Sequence, residues 1–246
     1  MVSPLYDHIG DGYARTRRAD ERIAEVIWRG LGDARSVVNV GAGAGSYEPL
    51  DRRVIAVEPS WRMIQQRPGS APVICGVAEA LPFSAGAFEA ALAILTLHHW
   101  TDWRRGLTEM RRVSTRQVVV TVDPEAMASF WLIATYFPEI AELDRARCPS
   151  LIDITKTVGS SQVQIMPIPF DCADGFLAAY WGRPEAYLDS SVRAGISGLA
   201  LLEPDVVSHG IARLRDDLES GVWDQRFGHL RRADVLDVGY RLVIAQ

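Results

Sequence analysis

Three groups of residues in the first half of the chain have types and spacings that could do chemistry. The first is VVNVGAGAGSYE at residues 37–48, where an apolar run is followed by Gly41, Gly43 and Gly45 at alternate positions. A chain leaving a strand through such a stretch turns tightly and brings backbone N–H groups and a helix N-terminus close to a ligand. The second is Glu58, which ends RVIAVE; an acid at the carboxyl end of a buried strand can accept hydrogen bonds from two ribose hydroxyls. The third is the pair His98–His99 in LTLHHW, with Asp123 at the end of the next strand. An imidazole of near-neutral pKa, or that carboxylate, could take a proton from a nucleophile. The histidines could equally shape their loop, and Asp123 could be a turn residue before Pro124.

The glycine spacing restricts what the turn can hold. A nucleotide-phosphate loop needs GxxxxGK[ST], and neither that spacing nor the lysine is present. A dinucleotide fingerprint puts glycine at its first, third and sixth places, which here hold Gly41, Gly43 and Ser46. Pyrophosphate is therefore disfavoured. Two adjacent histidines without further spaced ligands do not make a metal site, so no metal is expected.

Alternating strands and helices must position these residues. Asp20 can cap a helix that Gly32 ends, with Ile23, Val26, Ile27 and Leu31 at helical spacing. SVVNV (36–40), RVIAVEP (53–59), PVICG (72–76), FEAALAIL (88–95) and QVVVTVD (117–123) read as five strands. A helix over 102–114 turns Leu107, Met110 and Val113 to one side. This order predicts an α/β fold with a parallel sheet and right-handed crossovers. Residues 124–160 read as helical, VQIMPIPF (163–170) as a sixth strand whose prolines suit an edge, 171–232 as mainly helical, and YRLVIA (240–245) as the last strand. The expected organisation is one domain over 1–246, with 124–160 and 171–232 as insertions over the sheet edge.

Composition agrees with an ordinary soluble globular protein of 246 residues. A formal charge of −5 and 23% charged residues do not suit a nucleic-acid binder. The longest apolar run, AALAILTL, is far below the ~20 residues that span a bilayer, and the start lacks a signal-peptide pattern. Cys75, Cys148 and Cys172 read as reduced thiols, so a cytoplasmic location is expected. A single lysine, Lys156, stands among many arginines.

Taken in order, NVGAGAGSYE, AVEPSWRMI and GVAEALPFSAGAFEAALAILTLHHW resemble the class I S-adenosylmethionine-dependent methyltransferases, the methyltransferase type 11 group, over roughly residues 6–123. YRLVIA resembles that family's last strand. The resemblance implies a Rossmann-like, mainly parallel seven-stranded sheet with an antiparallel last strand, S-adenosylmethionine as cofactor, and helical insertions forming a lid. It also implies that Gly41, Ala42 and Gly43 pass close to the methionine moiety and ribose, with Leu95 bordering the same site. Glu58 would hold the ribose, Pro59 and Met63 would pack near the adenine, and the amide of Ala78 would meet the adenine edge beside Glu79. Val77 stands where the family often has aspartate, so Glu79 or packing must hold the adenine amino group. In the leader, Tyr13 with Arg17 or Arg18 could pair with the cofactor carboxylate.

The acceptor must be read from the insertions. Their aromatics, among them Phe130, Trp131, Tyr136, Phe137, Tyr180, Trp181, Tyr187 and Trp223, could be core, since buried aromatics most often simply pack. As a lid they would suit a small, partly apolar acceptor. Arg183 and His229 could point inward, though surface placement is the default for both. The leading expectation is methyl transfer to a small molecule, with no nucleic-acid or membrane partner and homodimerisation left open. A protein of the same fold that binds the nucleoside without methylating is the alternative. A nicotinamide-dependent oxidoreductase is third.

Overall fold

A computed structural model of the chain describes residues 18–67 and 71–246; Tyr13 and Arg17 lie outside them. Helix α1 (Glu21–Leu31) begins where the Asp20 carboxylate accepts the Arg22 N–H, and ends at Gly32 with φ 58°. Strands β1 (Ser36–Val40) and β2 (Arg53–Glu58), helix α2 (Trp61–Gln65), and strands β3 (Val73–Cys75) and β4 (Phe88–Ile94) follow. Helix α3 (Trp103–Val113) then leads into β5 (Ser114–Val122). Four short helices come next: α4 (Pro124–Ala128), α5 (Trp131–Tyr136), α6 (Pro138–Arg147) and α7 (Leu151–Val158). After β6 (Ser161–Ile165) and β7 (Ile168–Pro169) the chain forms α8 (Ser190–Ala194), α9 (Ser197–Ala200), α10 (Pro204–Glu219) and α11 (Val222–Phe227). It ends with β8 (Val235–Leu236) and β9 (Tyr240–Ala245).

Seven strands form one sheet in the order β3-β2-β1-β4-β5-β9-β6. The first five are parallel, whereas β9 runs antiparallel to both β5 and β6. The chain builds outward from β1 to β3, then returns to place β4 on the other side of β1. That reversal opens a crevice beyond the carboxyl ends of β1 and β4, where open α/β sheets bind ligands. Successive residues of each strand face opposite layers. Val37, Leu92 and Val120 pack with α1 and the helices that follow β5 and β7, while Val38, Ala91 and Val119 pack with α3 and α7.

The sequence-predicted strand over 163–170 is broken in two. Its first half is the sheet's edge strand β6; Met166 and Pro167 interrupt the ladder, and β7 pairs instead with β8. Pro167 and Pro169 have no N–H to donate, so the segment cannot continue as a ladder strand.

The aromatics of the later helices make a core. Phe130, Trp131, Tyr136, Phe137, Trp181, Tyr187 and Trp223 are all buried. Trp131 meets Tyr136, Tyr187 and Trp223 edge-on at centroid distances of 6.0, 5.8 and 5.3 Å, and its indole N–H donates to the Trp181 carbonyl at 2.8 Å. Arg183 donates to the carbonyls of Cys172 and Ala179, and His229 is exposed.

A buried ion pair lies beneath the turn after β1. The Arg67 guanidinium donates to both carboxylate oxygens of Glu48, at 2.8 and 2.7 Å, and to the Gly43 carbonyl at 3.2 Å. Asn39 Nδ2 donates to the same carboxylate at 2.9 Å. Both side chains of the pair are only 5% exposed. Removing one partner would leave a charge in the interior, so Arg67→Ala is expected to cost about 3–5 kcal/mol in denaturant unfolding. Trp131→Ala should lose a similar ~3–5 kcal/mol by opening the aromatic core, with Trp131→Phe recovering part of it. An unchanged unfolding midpoint in either alanine variant would contradict these roles.

Candidate active site

The glycine turn is closed on itself. Gly41, Gly43 and Gly45 all have positive φ, at 68°, 53° and 90°, which explains the alternate glycines. The Gly41 and Ala42 amides both donate to the Val57 carbonyl, at 2.8 and 3.1 Å, and the Gly45 amide donates to Ala42. The Gly43 amide donates to Glu58 Oε2 at 2.8 Å, while Ser60 N donates to Glu58 Oε1 at 2.9 Å. Four turn amides are thus engaged within the protein, whereas a phosphate-binding loop must aim its amides at the ligand. Glu58 is buried at the cavity wall.

Gly41 is required by a neighbour as well as by its φ. A Cβ there would overlap the side chain of Thr96, which follows β4. Trp100 Nε1 donates to Thr96 Oγ1 at 3.1 Å, and the Trp100 ring covers Gly106 on α3, where a Cβ would also overlap. Leu95 precedes Thr96 with φ 50°, a left-handed conformation that costs a branched residue about 1–3 kcal/mol. Strand β4 therefore ends in an abrupt turn, and the short 3₁₀ segment Leu97–His99 carries both histidines to the cavity.

The cavity has a volume of about 360 Å³, within the usual range for small-ligand pockets. One wall is the strand-end set: the glycine turn, Glu58, Pro59, Met63 and Val77–Glu79. A second part of the lining comes from α6 and from the segment Gly195–Leu201 around α9. On α6, Ile140, Leu143, Asp144 and Arg147 line it, a spacing of i, i+3, i+4 and i+7 that defines one helix face. Phe176, Leu177, Ile196 and Tyr240 add apolar surface.

Burial in that wall shifts the titratable groups. Desolvation, and then the nearby Arg147 charge, push His98 down to about 4. His99 also lies well below 6.5, from burial first and then from His98 and Arg147. The two rings stand 3.9 Å apart, and Arg147 Nη2 lies 3.5 Å from His99 Nδ1. Both imidazoles are neutral at pH 7, in contrast to the near-neutral pKa expected of a histidine base. Since the unfolded chain protonates His98 near 6.5, acid withdraws stability as pH falls from there toward 4. Asp144 moves the other way: burial raises it to about 6 despite Arg147. Its ionisation therefore costs stability as pH rises through that value.

Of the sequence-predicted residues, the structure gathers Gly41, Ala42, Gly43, Glu58, Pro59, Met63, Val77, Ala78, Glu79, Leu95, His98 and His99 around this cavity. Val77 is 46% exposed, and one Glu79 oxygen accepts the Asp102 N–H at 2.9 Å. Asp123 is not in the lining. Its carboxylate caps α4 through the amides of Glu125 and Ala126 and lies 3.8 Å from Arg241, the turn position that the sequence also allowed for it. Arg18 is exposed and outside the lining too. The aromatics expected as a lid pack away from the cavity, whose wall is mainly aliphatic. Sequence reasoning missed Asp144 and Arg147. Their only signal was two charges on the helix face that Ile140 and Leu143 mark as inward.

A family model described as a methyltransferase domain matches residues 38–121. A protein from Anabaena variabilis, provisionally described as a methyltransferase from an antibiotic biosynthesis pathway, is 31% identical with a TM-score of 0.85. The match covers 94% of this chain and 99% of that one. Two more distant structures share the fold. The YcgJ protein of Bacillus subtilis is 16% identical, with a TM-score of 0.55 and 92% and 97% covered. Geranyl diphosphate C-methyltransferase from Streptomyces coelicolor, crystallised with Mg²⁺, geranyl diphosphate and S-adenosyl-L-homocysteine, is 16% identical, with a TM-score of 0.52 and 92% and 80% covered. No curated protein matches the sequence. Among the described residues no helix is long and apolar enough to cross a membrane, and no cluster of metal-ligating side chains is present. The residues of the cavity fit a sulfonium nucleoside: a buried acid at the strand end, four turn amides engaged within the protein, and space at Gly43, where a Cβ would meet Met63 alone among the described residues, at 3.4 Å. Fold, strand-end site and relatives agree, and the chain belongs to the class I S-adenosylmethionine-dependent methyltransferases.

Proposed function

We propose that this enzyme methylates a small, partly apolar molecule by in-line displacement. The observation that carries the proposal is one cavity lined both by the cofactor-type turn and by a mixed surface from α6 and Gly195–Leu201, mostly apolar with a few polar groups. S-adenosylmethionine supplies a methyl group already activated on a sulfonium sulfur. The protein's share is to align the acceptor, exclude water and, where the nucleophile carries a proton, accept it.

On this reading Glu58 holds the ribose hydroxyls, and Gly41, Ala42, Gly43 and Leu95 border the methionine part. Pro59 and Met63 flank the adenine, with the Ala78 amide at its edge. Glu79 already holds the Asp102 amide with one oxygen, and Val77 offers no acceptor, so packing carries more of the adenine recognition. His98 and His99 face the reacting region as neutral hydrogen-bonding groups. The aliphatic wall from α6 and Gly195–Leu201 receives the acceptor skeleton. Kinship with a protein described as belonging to an antibiotic pathway supports a natural-product-like acceptor.

Titration calorimetry should give binding of S-adenosylhomocysteine and none of NAD; NAD binding alone would overturn the reading. Glu58→Gln is expected to weaken S-adenosylhomocysteine by roughly tenfold or more, since a hydrogen bond to a charged group contributes about 1.5–3 kcal/mol. Ile196→Trp should fill the second part of the lining, leave that affinity within about twofold, and abolish transfer to any acceptor the wild type methylates, read by mass spectrometry. Equal loss of cofactor binding in Ile196→Trp would show that the two parts do not serve separate ligands.

A further inference from the structure

The inward face of α6 changes character along its length. Ile140 and Leu143 are followed on the same face by Asp144 and Arg147, which border the cavity beside the turn that carries His98 and His99. The Asp144 carboxylate has no hydrogen-bond or ion-pair partner among the described residues, although it sits in an otherwise aliphatic wall. The residue is half-buried and its carboxylate borders the cavity, where an occupant's O–H can donate to it. Arg147, one turn further on, reaches only His99, and at 3.5 Å that contact is weak.

We propose that Asp144 is the general base for an acceptor bearing an acidic hydroxyl, a phenol or enol on an apolar skeleton, and that Arg147 steadies the oxygen as it becomes anionic. This rests on the methyltransferase reading of the cavity and assigns its acceptor class. The acceptor O–H proton passes to an Asp144 oxygen. The pair left on the acceptor oxygen forms the new oxygen–carbon bond to the methyl group as the carbon–sulfur bond breaks, its electrons returning to sulfur. The proton on Asp144 is then released to water, so charge and atoms balance.

The surroundings favour this acceptor class over an amine or a carboxylate. The guanidinium of Arg147 opposes an ammonium group, and a carboxylate acceptor has no proton to give to Asp144. Asp144 interacts with the charge of Arg147 on its own helix and with Cys148, which caps that helix, while His98 and His99 from the turn after β4 and Tyr240 from β9 line the same cavity. On the neighbouring α4, Glu125 is paired with Arg145 at 2.9 Å on the exposed side. Burial lifts Asp144 to about 6 and the Cys148 thiol to about 12, and it holds both imidazoles neutral. Asp144 is thus the group in this wall that changes charge just below physiological pH.

The test uses the full chain with S-adenosylmethionine and a panel of substituted phenols of graded acidity, plus matching anilines and benzoic acids, with products read by mass spectrometry. Methylated phenols are expected. Asp144→Asn should lower kcat by roughly 100-fold or more for weakly acidic phenols, the usual scale of a general base. The loss should shrink for phenols already ionised at the assay pH. It should also remove an acid limb near pH 6 from the wild-type profile, with S-adenosylhomocysteine affinity unchanged. Arg147→Met should raise KM and slow the weakly acidic phenols most. Methylation of anilines or benzoic acids alone, no phenol product, or an Asp144→Asn enzyme with full kcat would each overturn the proposal while calorimetric binding of S-adenosylhomocysteine leaves the cofactor reading intact. A wild type that binds no S-adenosylhomocysteine would remove both.

Discussion

The turn after β1 is held by hydrogen bonds that it makes to the neighbouring strand, and the site depends on that closure. Because the Gly41 and Ala42 amides converge on the Val57 carbonyl and the Gly43 amide on Glu58, the backbone is fastened to the end of β2. The bend brings an acid, not a ring of free N–H donors, to the cavity. On the proposed reading this arrangement suits a nucleoside whose hydroxyls an acid accepts better than a phosphate cradled by amides. The buried Glu48–Arg67 pair supports the bend from below, through the guanidinium's bond to the Gly43 carbonyl.

The second fastening is steric. Thr96 occupies the space where a side chain at 41 would lie, and Trp100 ties Thr96 to α3 by covering Gly106. Strands β1 and β4 are adjacent in the sheet, so the turns that leave them are packed as one unit across the crevice. The strained Leu95 backbone is held within that unit. On the proposed displacement reading, rigidity here matters because geometry between donor and acceptor is most of what a protein can contribute.

The second part of the lining follows a different logic. Its outer layer is an aromatic core centred on Trp131, which fixes α5 and α11 and leaves α6 to present a mixed face inward. Phe176 and Tyr240 join aliphatic side chains in the lining, while Trp131, Trp181 and Trp223 stay outside it. In that low-dielectric setting the charged and neutral forms of nearby groups separate: the imidazoles lose their proton readily and the carboxylate keeps its proton longer. Groups of ordinary composition thereby acquire distinct protonation states at one pH.

The sequence by itself determined the sheet, the glycine turn and the acid that follows it. Those features are local: a period-two run buries a strand, alternate glycines permit positive φ at 41, 43 and 45, and Glu58 must sit where β2 ends. Proximity in the chain also told that Gly41, Glu58 and His98 would meet at one edge, because parallel strands put all their carboxyl ends together. Only the tertiary structure decided the rest. Nothing in ELDRARC marks Asp144 and Arg147 as lining a cavity until α6 is docked against the turn after β4, some forty residues earlier in the chain. Nor could composition say that Trp131, Trp181 and Trp223 would pack outside the cavity, or that Asp123 would cap a helix. Burial, protonation state and the identity of a cavity wall are set by what lies on the far side of a contact, and that far side comes from distant parts of the chain.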